Sequence, residues 1–207
     1  MTHSDFVRYG WRSQEPEEAH AYIYPAIKQL LVPLAGRGTI LDCGCGNGSL
    51  TAKVAQLGFN TVGIDASEDG IALAREAYPG IKFEVFSVYD DLRQIITAAD
   101  AVMATEIIEH LYRPRLFCEN VWKILRPGGL FIVSTPYHGY LKNLALSLVN
   151  GWDQHFGVEK EGGHIKFFSP RTMARLLRDC GFRNIAFHNV GRVRWLWKSM
   201  VCRAEKC

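Results

Sequence analysis

Hydrophobic positions along the 207-residue chain switch between two spacings. Short apolar runs predict strands, and apolar residues three or four positions apart predict amphipathic helices. After a leading helix over residues 15–34, strands and helices alternate as far as residue 134. The predicted strands are 39–43, 60–64, 81–86, 101–104 and 130–134, and the predicted helices are 49–57, 68–77 and 116–125. This alternation indicates βαβ units and a parallel sheet covered on both faces.

The last third of the chain continues the pattern with longer connections. Arg-Pro-Gly-Gly at 126–129 predicts a turn, because proline ends a helix and glycine lets the chain reverse. Residues 140–149 have helical spacing, and Ser169 and Gly181 suit the N-cap and C′ positions of another helix. Strands are predicted at 184–190 and 199–203. We therefore expect one α/β domain, a three-layer αβα sandwich, with residues 1–35 as an N-terminal helical cap.

Composition narrows the class of protein further. The chain is 48% hydrophobic and 22% charged, as in globular enzymes, and no apolar run is long enough to predict a membrane span. The first 14 residues lack the apolar core of a signal peptide. Six scattered cysteines contain no C-x-x-C pair and are expected to be reduced thiols. We expect a cytoplasmic protein.

A glycine-rich loop follows the first predicted strand. It contains Gly44, Gly46 and Gly48, and Asp65 ends the next strand. A dinucleotide-binding G-x-G-x-x-G motif would place its third glycine at Ser49. Because that motif opens a helix onto a pyrophosphate, the earlier glycine suits a cofactor without phosphates. A carboxylate after the second strand can accept hydrogen bonds from ribose hydroxyls.

Residues 40–48, Ile-Leu-Asp-Cys-Gly-Cys-Gly-Asn-Gly, resemble the first motif of the class I S-adenosylmethionine-dependent methyltransferases. Leu-Arg-Pro-Gly-Gly at 125–129 resembles the segment before the fifth strand of that family. The resemblance implies a Rossmann-like seven-stranded sheet in the order 3-2-1-4-5-7-6 with the last strand antiparallel, and S-adenosylmethionine as cofactor. It implies cofactor contacts from Gly44, Cys45, Gly46, Asn47, Gly48, Asp65, Ala66, Ser87, Val88, Asp90, Thr105 and Glu106.

In the family, the loop backs the methionine part of the cofactor and the acid after the second strand holds the ribose. Ala66 and Val88 would then sandwich the adenine. Many relatives have an acid where this chain has Ser87, so the adenine amino group has two candidate partners, Ser87 and Asp90. Asp90 and Asp91 equally suit a helix N-terminus. We expect Asp42 to brace the loop through backbone hydrogen bonds.

The stretch Glu106-Ile-Ile-Glu109-His110 has two interpretations. On a helical turn its three polar side chains would share one face and could bind a divalent metal. Similar stretches bind metal in ubiquinone-biosynthesis O-methyltransferases and in small-RNA 2′-O-methyltransferases, whereas in other relatives they support the methionine end of the cofactor. Because two carboxylates and one histidine are few ligands, we assign no metal here and leave the alternative open.

The acceptor side is expected in residues 137–164, an insertion that resembles the substrate-covering lid of the family. A hydroxyl acceptor must lose its proton, and neutral histidine is a suitable base near pH 7. The candidates are His138, His155 and His164. We prefer His138 and His164, which flank the expected cleft, and of these His138. A similar helix before a G-x-H…K-F stretch occurs in the ubiquinone-biosynthesis O-methyltransferases.

The sequence thus predicts an S-adenosylmethionine-dependent methyltransferase that acts on a small molecule, at a phenolic or lipophilic hydroxyl. The alternatives are an RNA or nucleobase methyltransferase, a non-catalytic cofactor-binding regulatory protein, and an NAD-dependent oxidoreductase. From Lys166 onward there are ten basic and two acidic residues, with Trp195 and Trp197 among them. No basic groove is visible, so nucleic acid is disfavoured, whereas peripheral membrane contact is compatible with this bias. The sequence does not decide between a monomer and a homodimer.

Overall fold

The computed structural model describes residues 18–34, 36–153 and 163–207. In this part of the chain one mixed sheet has the strand order β3-β2-β1-β4-β5-β7-β6. Its strands are β1 (Thr39–Cys43), β2 (Asn60–Asp65), β3 (Lys82–Val85), β4 (Ala99–Ala104), β5 (Leu125–Pro136), β6 (Phe182–Val190) and β7 (Ser199–Lys206). Strand β7 is antiparallel to both of its neighbours, and the other pairings are parallel. The predicted strand order is confirmed.

Helices cover both faces of the sheet, as predicted. They are α1 (Glu18–Leu31), α2 (Ser49–Ala55), α3 (Glu68–Ala77), α4 (Pro114–Ile124), α5 (Tyr140–Leu148) and α6 (Pro170–Asp179). Strand β4 shows the layering, because successive side chains of a strand point to opposite faces. Val102 and Ala104 pack with residues of α4 and α6, whereas Ala101 and Met103 pack with residues of α1 and α2. All four are fully buried, which explains why residues 101–104 of the strand are all apolar.

Several element boundaries differ from the prediction by a few residues. Strand β5 begins at Leu125 rather than residue 130, because Leu125 pairs with Ala99 before the register shifts and Leu130 pairs with Ala101. The Arg-Pro-Gly-Gly segment bulges between these two pairs, with Gly128 in the left-handed region at φ 77°. Helix α4 begins at Pro114, two residues earlier than predicted, since proline suits the first helical turn.

The helix caps in the C-terminal part agree with the prediction. Ser169 caps α6 with a capping box shared with Thr172, and Gly181 follows the helix at φ 95°. The helix predicted over residues 140–149 is α5. The predicted start of the leading helix at residue 15 and the candidate base His155 lie outside the described residues.

The carboxyl ends of the parallel strands form one edge of the sheet. The strand order reverses between β1 and β4, which is where ligands bind in open α/β sheets. The loops after β1, β2, β4 and β5 meet at this edge, so the predicted site residues lie in one region. Among the described helices, none combines the length and the apolar character needed to cross a membrane.

Candidate active site

The glycine loop after β1 has a backbone that only glycine adopts without strain. Gly44, Gly46 and Gly48 have φ values of 75°, 52° and 76°. A Cβ atom on Gly44 would lie 2.3 Å from Cγ2 of Ile107, and one on Gly48 would lie 2.7 Å from Cζ of Phe83. The glycines at these two positions therefore meet both a conformational and a steric requirement. Ile107 and Phe83 are distant in sequence, so the sequence indicated only the first requirement.

Asp65 holds the loop through main-chain hydrogen bonds. Its Oδ2 accepts a hydrogen bond from the Gly46 N–H at 2.8 Å, and its Oδ1 accepts one from the Ser67 N–H at 2.8 Å. Burial raises the pKa of Asp65, and the backbone hydrogen bonds oppose that rise. An ionised carboxylate offers about four lone-pair positions, so both oxygens keep capacity for a further donor. The residue chosen as the ribose partner thus also fixes the loop.

Asp42 braces the loop in a different way from the prediction. Its Oδ2 accepts a hydrogen bond from the Thr51 hydroxyl of α2 at 2.7 Å, so the contact uses a side chain rather than the backbone. The second oxygen, Oδ1, has no hydrogen-bond partner in the described part of the chain. Burial raises the pKa of Asp42 to about 7, with the nearby Asp65 charge adding to the rise and the Thr51 bond opposing it.

The residues expected to contact adenine lie at the ends of β2 and β3. Ser87 and Val88 are buried, whereas Ala66 and Asp90 are exposed. The Ser87 hydroxyl accepts a hydrogen bond from the Tyr89 N–H at 3.2 Å. Asp91, rather than Asp90, caps the short helix Leu92–Gln94 and pairs with Arg93. The alternative reading as a helix N-terminus is therefore correct for Asp91 only.

Glu106 points away from the other two members of its motif. Its backbone is left-handed at φ 52°, and its carboxylate accepts hydrogen bonds from the hydroxyls of Ser134 at 2.7 Å and Ser199 at 3.2 Å. The neighbouring Thr105 is buried. A single 3₁₀ turn, Ile108–His110, begins only after Glu106. The expectation that Glu106, Glu109 and His110 share one helical face is wrong, because Glu106 is not helical.

His164 takes the place in the cluster that Glu106 was expected to fill. Oε1 of the fully buried Glu109 lies 3.9 Å from His110 Nε2 and 4.0 Å from His164 Nε2. Potential metal-ligand atoms of these three residues all lie within 4.8 Å of one another. The main-chain oxygen of Glu109 accepts hydrogen bonds from the N–H groups of Ile165 and Lys166 at 3.0 and 2.9 Å. These bonds hold the segment that carries His164 next to Glu109. No local pattern in the sequence indicates this pairing of Glu109 with His164, which are 55 positions apart.

His138 lies at a cavity beside the carboxyl end of β5. The cavity has a volume of about 680 Å³ and is lined by residues 137–141, residues 169–171 and Trp195. The His138 side chain is buried and its ring packs edge-on against Phe167, with centroids 5.2 Å apart. The two preferred histidines therefore occupy different places: His138 beside an apolar cavity and His164 beside a carboxylate.

Lys142 is a buried charged residue that the sequence analysis did not select. It lies on α5, and its Nζ donates a hydrogen bond to the main-chain oxygen of Tyr137 at 2.9 Å. Burial and the charge of Arg192 lower its pKa to about 8, against the opposing effect of Glu106. The available signal was that Lys142 is the one charged residue in a mainly apolar helix.

Comparison with known proteins identifies the family to which this chain is similar. The sequence profile of a family described as a methyltransferase domain matches residues 13–186. The chain is 32% identical over 161 residues to a protein named ubiquinone biosynthesis O-methyltransferase, mitochondrial, from Rattus norvegicus. That alignment covers 72% of this chain and 45% of the rat protein, so the chain spans less than half the length of this relative. The corresponding protein of Cereibacter sphaeroides is 28% identical, with 82% of this chain and 71% of that protein covered.

Solved structures share the fold at low sequence identity. A methyltransferase from Archaeoglobus fulgidus described as SAM dependent has a TM-score of 0.69 at 18% identity, covering 89% of this chain and 93% of that one. A magnesium protoporphyrin IX methyltransferase from Synechocystis, solved with bound SAH, has the same TM-score and identity and covers 89% of this chain and 82% of that one. The fold, the glycine loop with its brace and the family match together show that this chain belongs to the class I S-adenosylmethionine-dependent methyltransferases.

Proposed function

We propose that the protein transfers a methyl group from S-adenosylmethionine to a hydroxyl oxygen of a small molecule, with a phenolic or lipophilic acceptor. The observation that carries the proposal is the braced glycine loop at the edge of the sheet where an apolar cavity also opens. Relatives named ubiquinone biosynthesis O-methyltransferases support oxygen as the methylated atom.

On the cofactor side, the chain supplies shape and hydrogen bonds. Three glycines let the cofactor approach the loop backbone, and Asp65 keeps lone pairs for ribose hydroxyls while it holds Gly46. In this proposal Ala66 and Val88 sandwich the adenine, and Ser87 or Asp90 binds its amino group. When bound, the cofactor supplies an activated methyl group with a good leaving group, so the protein must chiefly align the reactants and exclude water.

On the acceptor side, His138 is the proposed base. It borders the apolar cavity, where a phenolic or lipophilic acceptor can bury its ring or chain. A neutral imidazole there can accept the hydroxyl proton as the oxygen attacks the methyl carbon. His164 is less suited to this role, because it lies beside Glu109 and His110 instead.

Glu109, His110 and His164 fit a divalent metal, so we favour the interpretation that the sequence left open. One carboxylate and two imidazoles converge within 4.8 Å, a donor set that Mn²⁺ or Zn²⁺ accepts, and they come from two separate segments. A bound cation would act as a Lewis acid and make an acceptor hydroxyl easier to ionise. Dialysis against EDTA should abolish turnover without lowering affinity for S-adenosylhomocysteine, and one divalent ion should restore turnover. Full activity after metal removal would contradict this assignment.

The main test combines cofactor binding with turnover. S-adenosylhomocysteine at 100 times its Kd should stabilise the protein by about 2.7 kcal/mol in thermal unfolding, and Asp65→Ala should remove most of the effect. Mass spectrometry with a panel of phenols should show addition of one methyl group. Stabilisation without turnover on any acceptor would favour a regulatory protein, stabilisation by NAD alone an oxidoreductase, and salt-dependent RNA shifts a nucleic-acid methyltransferase.

We further propose peripheral contact with an anionic membrane surface. An exposed apolar face is defined by Tyr140, Leu144 and Leu148 on α5 and by Val193 and Trp195 after β6. The guanidinium group of Arg194 lies over the Trp195 ring, 4.8 Å from its centroid. Tyr140, Trp195 and Arg171 line the same cavity, which places α5 and the β6–β7 connection side by side. Aromatic and aliphatic groups flanked by arginine suit the interface of a bilayer that contains anionic lipids.

Sedimentation with vesicles tests this contact. We expect binding to phosphatidylglycerol vesicles that weakens with salt, and little binding to phosphatidylcholine vesicles. Equal binding to both, or to neither, would argue against it. A cytoplasmic location remains our proposal, which the six free cysteines support.

A further inference from the structure

Helix α5 has an inverted distribution of polar and apolar residues. Its one fully charged side chain, Lys142, is only 8% exposed, whereas Leu144 and Leu148 are 41% and 78% exposed. A surface helix normally buries its apolar stripe and exposes its charges. Burying an ammonium group is unfavourable unless a partner compensates it. The position of Lys142 therefore needs an explanation other than core packing.

Lys142 is bonded to a residue that lines the apolar cavity, and it lies close enough to Glu106 for the two charges to interact. Its Nζ binds the main-chain oxygen of Tyr137, which directly follows β5 and lines the apolar cavity. The other charged groups that act on it are Glu106, after β4, and Arg192, between β6 and β7. An ammonium group has three N–H donors, and Tyr137 accepts one of them.

We propose that Lys142 is an anion-binding residue of this site, whose ammonium group binds a negatively charged oxygen of the ligand under α5. This inference rests on the proposed function, because both available sources belong to it. One source is the carboxylate of the methionine part of the cofactor, and the other is the ionised hydroxyl of the acceptor. The inverted helix follows from this role, because α5 must present its single cation inward.

Three substitutions separate the charge of Lys142 from its hydrogen bond. Lys142→Met removes both at similar length, Lys142→Gln keeps a donor for Tyr137 without the charge, and Lys142→Arg keeps the charge. Lys28→Met removes an exposed lysine on α1 and is the matched control. Far-ultraviolet circular dichroism and thermal unfolding verify that each variant is folded before binding is measured.

The first arm measures ligand affinity by calorimetry, using S-adenosylhomocysteine and 5′-methylthioadenosine, which lacks the amino-acid part. If the lysine binds the cofactor carboxylate, the Met and Gln variants lose about tenfold or more in affinity for S-adenosylhomocysteine, the size of one charge-assisted hydrogen bond. Affinity for 5′-methylthioadenosine stays within twofold of wild type. Lys142→Arg retains most of the affinity, and Lys28→Met is indistinguishable from wild type.

The second arm measures methylation of catechol at saturating S-adenosylmethionine. If the lysine binds the acceptor oxygen, the Met and Gln variants show a loss of about tenfold or more in kcat/KM for catechol, with S-adenosylhomocysteine affinity unchanged. Wild-type behaviour of Lys142→Gln in both arms overturns the inference, because the lysine then only ties α5 to Tyr137. Equal losses for both nucleosides also overturn it, since they indicate a general distortion. Absence of S-adenosylhomocysteine binding by the wild type instead overturns the proposed function itself.

Discussion

The cofactor side and the acceptor side of the site differ in how far the chain completes its own interactions. Around β1 and β2, loop amides and carboxylates bond to each other, as Gly46 and Ser67 do with Asp65. Around β5 and α5, a buried lysine binds one carbonyl while leucines face outward. In the first region most of these polar groups bond to one another, with Asp42 Oδ1 as an exception. The second region therefore has the reverse of the usual distribution, with a charge inside and apolar groups outside.

This difference shows what each region contributes. The cofactor side provides rigidity, because its loop has a conformation that few substitutions tolerate and its brace is internal. The acceptor side determines which ligand binds, because its cavity, its lysine and its exposed apolar face can each contact a complementary group. Substitutions of the loop glycines should therefore alter stability, and substitutions on the acceptor side should alter binding and turnover.

The largest effect is expected from Gly44→Ala. The new Cβ meets Ile107 at 2.3 Å with φ at 75°, so strain and overpacking should together cost about 3 to 5 kcal/mol of unfolding free energy. Gly128→Ala has a similar φ of 77° but nothing within 4 Å, so it should lose only about 1 kcal/mol. Urea unfolding measures both. Equal losses in the two variants would mean that the contact with Ile107 is unimportant.

On the acceptor side, Glu109→Gln should lower kcat/KM about 100-fold, because it removes the carboxylate of the proposed metal cluster. Affinity for S-adenosylhomocysteine should stay within twofold of wild type. Glu119→Gln, an exposed acid on α4, is the control and should leave both quantities unchanged. A parallel loss of cofactor affinity in Glu109→Gln would show that the cluster supports the cofactor instead.

The buried Asp42 should make stability depend on pH. Its folded-state pKa of about 7 exceeds the ordinary value, so the folded state binds more protons than the unfolded state between about pH 4 and 7. The protonated Asp42 side chain therefore contributes to the unfolding free energy at low pH, and this contribution is lost as the pH rises from about 4 to about 7. The unfolding free energy of Asp42→Asn, taken relative to that of the wild type, should therefore increase by about 1 to 3 kcal/mol from pH 5 to pH 8.

Urea unfolding of both proteins at the two pH values measures the Asp42 effect. His20 is buried beside Ser49 and its pKa is lowered to about 4, so its own contribution is lost as pH falls below about 6.5. Because the wild type and the variant share His20, its effect cancels in their difference. A difference in stability that is the same at pH 5 and pH 8 would contradict the raised pKa of Asp42.

The smallest stability effect is expected from Leu148→Ser on the exposed apolar face. Its unfolding free energy should change by less than about 0.5 kcal/mol, while sedimentation with anionic vesicles should fall severalfold. Leu177 of α6 is fully buried, so Leu177→Ala should lower the unfolding free energy by about 2 to 5 kcal/mol. This loss is the reference for a leucine that packs in the core. A loss above about 2 kcal/mol in Leu148→Ser would show that this leucine packs against the protein rather than awaiting a partner.

The cofactor side could be predicted from the sequence because its interactions join residues that are close in the chain, and because glycine and aspartate mark its loop. Left-handed glycines and an acid 19 positions after Gly46 already indicate the loop and its brace. Helix α3 was predicted at its observed bounds, and the strand order followed from the family resemblance. The observed strand boundaries differ from the predicted ones where strand pairing continues further, as at Leu125 in β5.

The acceptor side could not be predicted to the same depth. Glu106 turns toward Ser134 and Ser199 because β7 inserts next to β5, and no local pattern carries that information. Likewise His164 reaches Glu109 through main-chain hydrogen bonds from a segment far along the chain. These tertiary contacts explain why the cluster contains His164 rather than Glu106.

The amino-acid sequence by itself indicated the fold class and the glycine loop, because periodicity and backbone requirements are local properties, and the resemblance of its motifs indicated the family. Only the tertiary structure decided which acids and histidines converge, that Asp42 is bonded to Thr51, and that Lys142 is buried. The physical reason is that burial and convergence depend on which strands become neighbours. Chemistry that arises from a residue type was visible in the sequence, whereas chemistry that arises from proximity was not.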